Sequence, residues 1–258
     1  WNNVKCIFLL GAGVFSTHAG DLFPPNSDSV GILAGLKDHE RDLLIHYCMT
    51  THSMVELGGK LSQFTDKAKM KQLKKAVCNP NNGQDVYFVG FDYRCKTFTY
   101  PEILYFNTAH FTAEENNPLV PLRTVSFFNL DEKEKTYTVT AQDLKLPEGE
   151  YLLTDVWSGE VLALRDIELA LPAHHSRMFA VSDQKQVLLT DANIRINTTA
   201  KCGEKLVLAT DYAQPEAELT LTRATKKITL NGVNVPFETI GEKTCFALEG
   251  KGMLEIEF

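Results

Sequence analysis

His18 and Asp21 sit close together in the stretch that follows an apolar run over residues 5–15, KCIFLLGAGVF. A short continuous run of this kind, ending in Gly11 and Gly13, reads as a buried strand entering a loop. Folds of the α/β type place ligand-binding groups in the loops that leave their strands. A carboxylate at such a strand end can accept two hydroxyl hydrogen bonds. On position alone a solvated loop is the competing reading, and His18 and Asp21 are the candidate substrate-binding residues.

Other residues with chemical potential read as structural. His46 and His52 lie in or near a helical segment, as core or boundary histidines, and Glu56 precedes a turn at Leu57, Gly58 and Gly59. His174 and His175 lie between Pro172 and a β-stretch, where an exposed loop is expected, since a metal would need ligands from elsewhere too. Tyr93, Tyr100, Tyr105 and Trp157 could stack on sugar rings, although aromatics in strands usually fill cores. No phosphate loop, dinucleotide fingerprint, nucleophile elbow or HExxH occurs. Six cysteines lie far apart with no CxxC, which signals neither a zinc site nor a disulfide scaffold. No metal site and no cofactor is expected.

Composition narrows the partners. The chain has 258 residues, 44% hydrophobic and 23% charged, with a net charge of −7. That is ordinary globular composition, and the acidic balance argues against a protein that neutralises many phosphates, so no nucleic acid is expected. No apolar run reaches about 18 residues, so no membrane span is expected either. The chain starts at Trp1 with no visible signal peptide, and is expected to be processed or a fragment. Asn197-Thr198-Thr199 is a glycosylation sequon, meaningful only in a secreted protein.

The elements that must position these residues fall into three segments. After the first strand, residues 16–29 read as a loop in which Asp28 or Ser29 caps a helix over 30–54, with Leu33, Leu36, Leu43, Leu44 and Tyr47 on one face. A second, lysine-rich amphipathic helix follows Thr65, with Met70, Leu73 and Val77 inward and the lysines on a solvated face. Then the pattern changes. Short β-stretches begin at Val86, Lys96, Ile103, Thr124, Lys135, Tyr151, Ile167 and Arg177, an antiparallel sandwich signature. A second β-series starts at Val187, Ala192, Lys205, Ala217, Lys227 and Met253, and Asn231 with Gly232 is a type I′ hairpin signal. Trp157 and Leu162 are expected to cover the open end of the first sandwich, with Ser158 and Gly159 making the turn between its strands.

The stretch over 125–181 carries more specific information. It contains Phe127-Phe128-Asn129, Asp143-Leu144-Lys145-Leu146, Asp155-Val156-Trp157-Ser158-Gly159-Glu160, and LPAHHSRMF from Leu171 to Phe179. This resembles the C-terminal sandwich of alpha-galactosidase-like (melibiase) glycoside hydrolases, with His175 where that family has glycine. Upstream, Gly20-Asp21-Leu22, the helix from Val30, SMVELGGKL from Ser53 and the helix from Asp66 follow the order of the family's last barrel unit. The resemblance implies that Asp21 hydrogen-bonds a sugar hydroxyl at the end of the last barrel strand.

The expected fold class is mainly β: an antiparallel β-sandwich plus a second small β-domain, preceded by an α/β remnant of a (β/α)8 barrel. The expected domains are 1–78, the end of a catalytic barrel; 79–182, the C-terminal sandwich; and 183–258, a small β accessory domain. A complete barrel needs about 200 residues or more. Retaining glycosidases need two carboxyl groups about 5 Å apart, normally from different barrel strands. The resemblance thus implies the C-terminal portion of a glycoside hydrolase, with carbohydrate and a missing N-terminal barrel polypeptide as partners, and no catalytic carboxylate pair of its own. The alternative is a non-catalytic carbohydrate-binding or structural β-sandwich module.

Overall fold

The computed structural model describes residues 1, 4–5, 26–31, 36–51, 54–58, 65–67, 70, 73, 86–91, 100–107, 121–165, 167–183, 188–194, 196–211, 213–241 and 243–258. Strands β1 (Asn26–Gly31) and β2 (Met54–Gly58) pair in parallel, and helix α1 (Asp38–Thr51) lies between them in sequence. Parallel strands need such a crossover connection. This corrects the sequence reading at three points. Residues 26–29 are strand rather than loop, α1 starts at Asp38 rather than near Val30, and residues 57–58 are strand rather than turn. NSDSVG has turn composition, but strand formation follows pairing context more than intrinsic preference. Of the apolar run over 5–15 only Lys5 is among the described residues. It is helical, with its N–H donating to Trp1 O at 3.2 Å.

The start of α1 has its own local cause. Glu40 Oε2 accepts the Lys37 N–H at 2.9 Å, the reciprocal half of a capping box. Arg41 N–H then donates to Lys37 O at 3.1 Å, closing the first turn. From Leu43 to Thr51 every residue of the helix is buried, so α1 is enclosed on all sides rather than half-solvated. Two buried threonines are satisfied within the helix: Thr50 Oγ1 donates to His46 O and Thr51 Oγ1 to Tyr47 O, both at 2.8 Å. Beyond β2, Lys67, Met70 and Leu73 are helical. Leu73 is buried as expected, but Met70 is 38% exposed, and Val77 lies outside the described residues.

What α1 covers is an antiparallel sheet. Eight strands follow: β3 (Val86–Phe88), β4 (Ile103–Asn107), β5 (Arg123–Phe128), β6 (Lys135–Thr138), β7 (Tyr151–Asp155), β8 (Val161–Ala163), β9 (Glu168–Leu171) and β10 (Ser176–Asp183). Six of them form one sheet in the order β3-β4-β5-β10-β7-β8, and β6 pairs with β9 in a second. Side chains of a strand alternate between faces, and here each face finds a different partner. Val125 and Phe127 of β5 join Phe179, Leu153, Tyr137 and Leu169 in the core shared with β6 and β9. Phe128 and Leu104 face the other way onto Leu43, Leu44 and Tyr47, while Phe106 and Met178 pack on Ile45, Cys48 and Met49. Burial on both faces accounts for the unbroken buried run from Thr124 to Phe128, which by alternation alone would have one wet face.

Nine further strands complete the fold: β11 (Leu189–Ala192), β12 (Ile196–Cys202), β13 (Lys205–Thr210), β14 (Gln214–Leu221), β15 (Lys227–Leu230), β16 (Val233–Asn234), β17 (Phe237–Ile240), β18 (Lys243–Leu248) and β19 (Gly252–Glu257). They make two sheets, β11-β14-β18-β17 and β12-β13-β19-β15-β16. Both contribute to one core of Leu189, Leu206, Leu208, Leu219, Phe246 and Leu254 among others. Asn231 and Gly232 have φ of 50° and 82°, and Leu230 pairs with Val233 across them, the two-residue hairpin their sequence predicts. The sequence reading missed β16, β17 and β18. In β18 the inward residues are Thr244, Phe246 and Leu248, so a threonine interrupts the apolar alternation. Residues Glu238, Thr239 and Ile240 of edge strand β17 are all exposed.

One buried amide ties the first sandwich together. Asn129 Nδ2 lies within 3.0 Å of Lys133 O, Leu171 O and Pro172 O, and its Oδ1 accepts the Asp131 N–H at 3.0 Å. An apolar side chain would strand those carbonyls away from water. Asn129→Leu is therefore expected to cost about 1–3 kcal/mol, measured as a lower denaturation midpoint with an unchanged denaturant slope.

Candidate functional site

Two polar constellations sit on the six-stranded sheet, the first built from the segment the sequence singled out and the second shared between that segment and α1. The first closes the β7–β8 hairpin. Asp155, at the end of β7, accepts the N–H groups of Trp157 and Ser158 on Oδ1 at 2.9 and 2.8 Å. Its Oδ2 takes Arg177 Nε at 2.7 Å, and Arg177 reaches on to Glu160 at 2.6 Å. Gly159 supplies the left-handed turn, with φ of 77°, and its N–H returns to Asp155 O at 2.8 Å. The Arg177 guanidinium lies 4.6 Å from the centre of the Phe179 ring, within cation–π range. Burial alone would push the Asp155 carboxyl up, but the Ser158 N–H and the Arg177 guanidinium outweigh it and hold it below the ordinary value.

The second constellation is a seam of histidines between α1 and the turn that precedes β10. His174 has φ of 61°, and the His175 N–H donates to Pro172 O at 3.2 Å. This tight turn presents both rings to the helix. His174 Nδ1 lies 3.0 Å from Glu40 Oε1, its Nε2 lies 3.0 Å from Glu132 Oε2, and its ring stacks on Trp1 at 3.8 Å. His175 stacks on His39 with ring centroids 4.2 Å apart and planes 7° from parallel. Deeper in, His46 Nδ1 meets Ser176 Oγ at 2.7 Å, and Thr50 Oγ1 meets Ser126 Oγ at 2.6 Å. Burial raises the Glu40 carboxyl, yet the Lys37 N–H and His174 bring it below its usual value.

These positions revise several expectations. His174 and His175 are not an exposed loop, because the αL turn folds them against α1. Trp157 does not cover the sandwich core. It packs on the helix side with Ile45, Met49 and Met178, and its ring lies 4.8 Å from His46. Leu162 does pack on the sandwich core. Tyr105 is buried against Tyr87 at 5.3 Å, and Tyr100 packs against the α1 cluster. His46 is buried, as expected of a core histidine. His18, Asp21, His52 and Tyr93 lie outside the described residues, and Glu56 is described in its backbone alone. Sequence reasoning missed His39 and Glu40. Their signal was present only in Glu40 standing three residues after Lys37, the spacing of a capping box.

Elsewhere, a groove of about 760 Å³ lies on β14, β17 and β18, lined in part by Lys67, Glu216, Glu218, Glu238 and Ile240. Cys48 is buried, Cys245 is half-buried and Cys202 is an exposed free thiol. Among the described residues no cluster of histidine, cysteine or carboxylate groups could hold a metal ion, and no helix is long and apolar enough to cross a membrane.

An antiparallel sandwich seated on a parallel β-α-β unit, with a second pair of β-sheets behind it, defines the structural class. Residues 121–181 match the family model described as the alpha galactosidase C-terminal beta sandwich domain, and this region of the chain is alpha-galactosidase-like. No curated protein matches the chain. The solved structures that share the fold include three glycoside hydrolases by their descriptions. A Bacillus halodurans protein described as an alpha-N-acetylgalactosaminidase matches with a TM-score of 0.54 at 18% identity, over 72% of this chain and 43% of its own. Alpha-galactosidase I from Mortierella vinacea matches with a TM-score of 0.52 at 16% identity, over 71% and 45%. A β-L-arabinopyranosidase from Geobacillus stearothermophilus matches with a TM-score of 0.53 at 19% identity, over 72% and 42%. The chain spans less than half the length of each of them.

The Asp155 constellation makes a definite prediction. Asp155→Asn keeps the side-chain oxygen for the turn but loses the ion pair, and is expected to cost about 2–3 kcal/mol at neutral pH. A carboxyl held low in the folded state contributes stability that is complete above its unfolded value and is lost as pH falls through its folded value. The deficit of the variant should therefore shrink in strong acid, which thermal unfolding at neutral and acidic pH will measure.

Proposed function

We propose that this chain is the C-terminal part of a glycoside hydrolase resembling alpha-galactosidases. In this reading residues 1–78 end a catalytic (β/α)8 barrel, residues 79–182 form the C-terminal sandwich, and residues 183–258 form an accessory β-domain. The observation that carries it is the sandwich match over 121–181 on a sheet that packs against the crossover helix of a parallel strand pair. That unit, a parallel strand followed by a helix, is what such barrels repeat. The substrate is a carbohydrate, and the nucleophile and general acid come from preceding polypeptide, because barrel enzymes draw their catalytic groups from the ends of several strands, of which residues 1–78 supply only the last one or two.

Within this reading the sandwich is a seat for the barrel rather than a sugar platform. Tyr100, Tyr105 and Trp157, three of the four aromatics that could stack on sugar, are engaged in packing, and Tyr93 lies outside the described residues. Asp21 and His18, which lie outside the described residues, are proposed to contact the sugar, Asp21 by accepting hydroxyl hydrogen bonds.

The expected outcome is that this chain alone does not turn over aryl α-galactosides, whereas the same chain joined to its preceding polypeptide does. In the joined protein Asp21→Asn should weaken kcat/KM by about 1–3 kcal/mol, roughly five- to 150-fold, with an unchanged melting midpoint. Turnover by the purified chain alone, abolished by substitutions within it, would overturn the proposal. Wild-type kinetics in Asp21→Asn would remove that residue from the site.

A further inference from the structure

The His39–His175 stack joins the first turn of α1 to the turn that presents β10, and nothing in the proposed catalysis uses it. Its geometry is face to face, with centroids 4.2 Å apart and planes 7° from parallel. Two neutral imidazoles stack well at that distance, but two imidazolium ions repel strongly there. His175 Nδ1–H donates to Ala173 O at 2.8 Å, so its Nε2 is the nitrogen left to take a proton. The adjacent His174 is placed differently, since it lies between the carboxylates of Glu40 and Glu132. A proton on that ring meets opposite charge.

We propose that the His39–His175 stack is a proton-sensitive latch, closed at neutral pH and opened in mild acid, that couples the helix layer to the sandwich. Among the described residues the titratable and charged groups facing His39 are Lys37 and Glu40 from its own helix end and His174 and His175 from the turn. Glu132 reaches the cluster through His174 and also pairs with Lys5 at 3.4 Å. Burial and then the charge of His175 hold the His39 ring below its ordinary value of 6.5, against the single opposing pull of Glu40. The sign follows from linkage. A base whose folded value is depressed binds fewer protons folded than unfolded. The stack therefore contributes in full above that ordinary value, and its contribution is lost as pH falls below it.

Two measurements on the full chain test the latch. Thermal midpoints at about pH 7.5 and about pH 5.5 should fall on acidification in the wild type, and His39→Gln should remove roughly half of that fall or more. Proton NMR titration of the His39 ring should give a value below that of a free imidazole, rising towards the free value in His175→Gly. The same acid sensitivity in His39→Gln as in wild type would overturn the latch. So would an unchanged His39 titration in His175→Gly, a readout that does not depend on how much stability either substitution costs.

Discussion

The central strands of the six-stranded sheet have no face left for water, and the rest of the arrangement follows from that. One face of β5 and β10 closes on the small β6–β9 sheet, and the other closes on α1. Leu43, Leu44, Ile45, Tyr47 and Met49 are all buried against it or beside it. At about 1.5–3 kcal/mol for each large apolar side chain, this contact is gross stabilisation on the order of 10 kcal/mol. That is comparable with the whole net stability of a typical domain, about 5–15 kcal/mol. The polar links along the seam, His46 with Ser176, Thr50 with Ser126 and His174 with Glu40, add little by comparison. Their role is to fix the register of helix against sheet, since each is satisfied in one docking position.

The sandwich was legible in the sequence because its motifs encode local necessities. Asn129 is required to gather three carbonyls and one amide of neighbouring turns. Asp155, Ser158, Gly159, Glu160 and Arg177 are required to close one hairpin and pair its charges. Asn231 and Gly232 are required by a two-residue turn with positive φ at both positions. Apart from the reach of Asn129 to Leu171 and Pro172, each of these is a constraint between neighbours in the chain or across one ladder, which is why residue type and spacing reveal them.

The α/β layer was less legible because its determinants are tertiary. NSDSVG is a strand only because MVELG lies beside it. The enclosed helix α1 shows a weak stripe because its polar residues are paired inside the fold instead of facing water. His174 and His175 looked like a loop because nothing local announces that an αL residue will turn two rings onto a helix far away in the chain. Trp157 was correctly read as structural and assigned to the wrong side of the sheet. A turn residue beyond the end of a strand is not bound by the strand's alternation, so its side cannot be counted from the sequence.

If the sandwich exists to seat the α/β layer, it is not a free-standing module, and that distinguishes a hydrolase C-terminal region from an autonomous carbohydrate-binding domain. The direct measurement is urea unfolding of residues 79–258 prepared without the first 78, beside the full chain. The account predicts that the shortened protein loses the cooperative transition of the six-stranded sheet and exposes its helix-facing surface to an apolar dye, while the sheets beyond residue 188 unfold as before. A cooperative transition of that sheet at the full-chain midpoint, without dye binding, would contradict it.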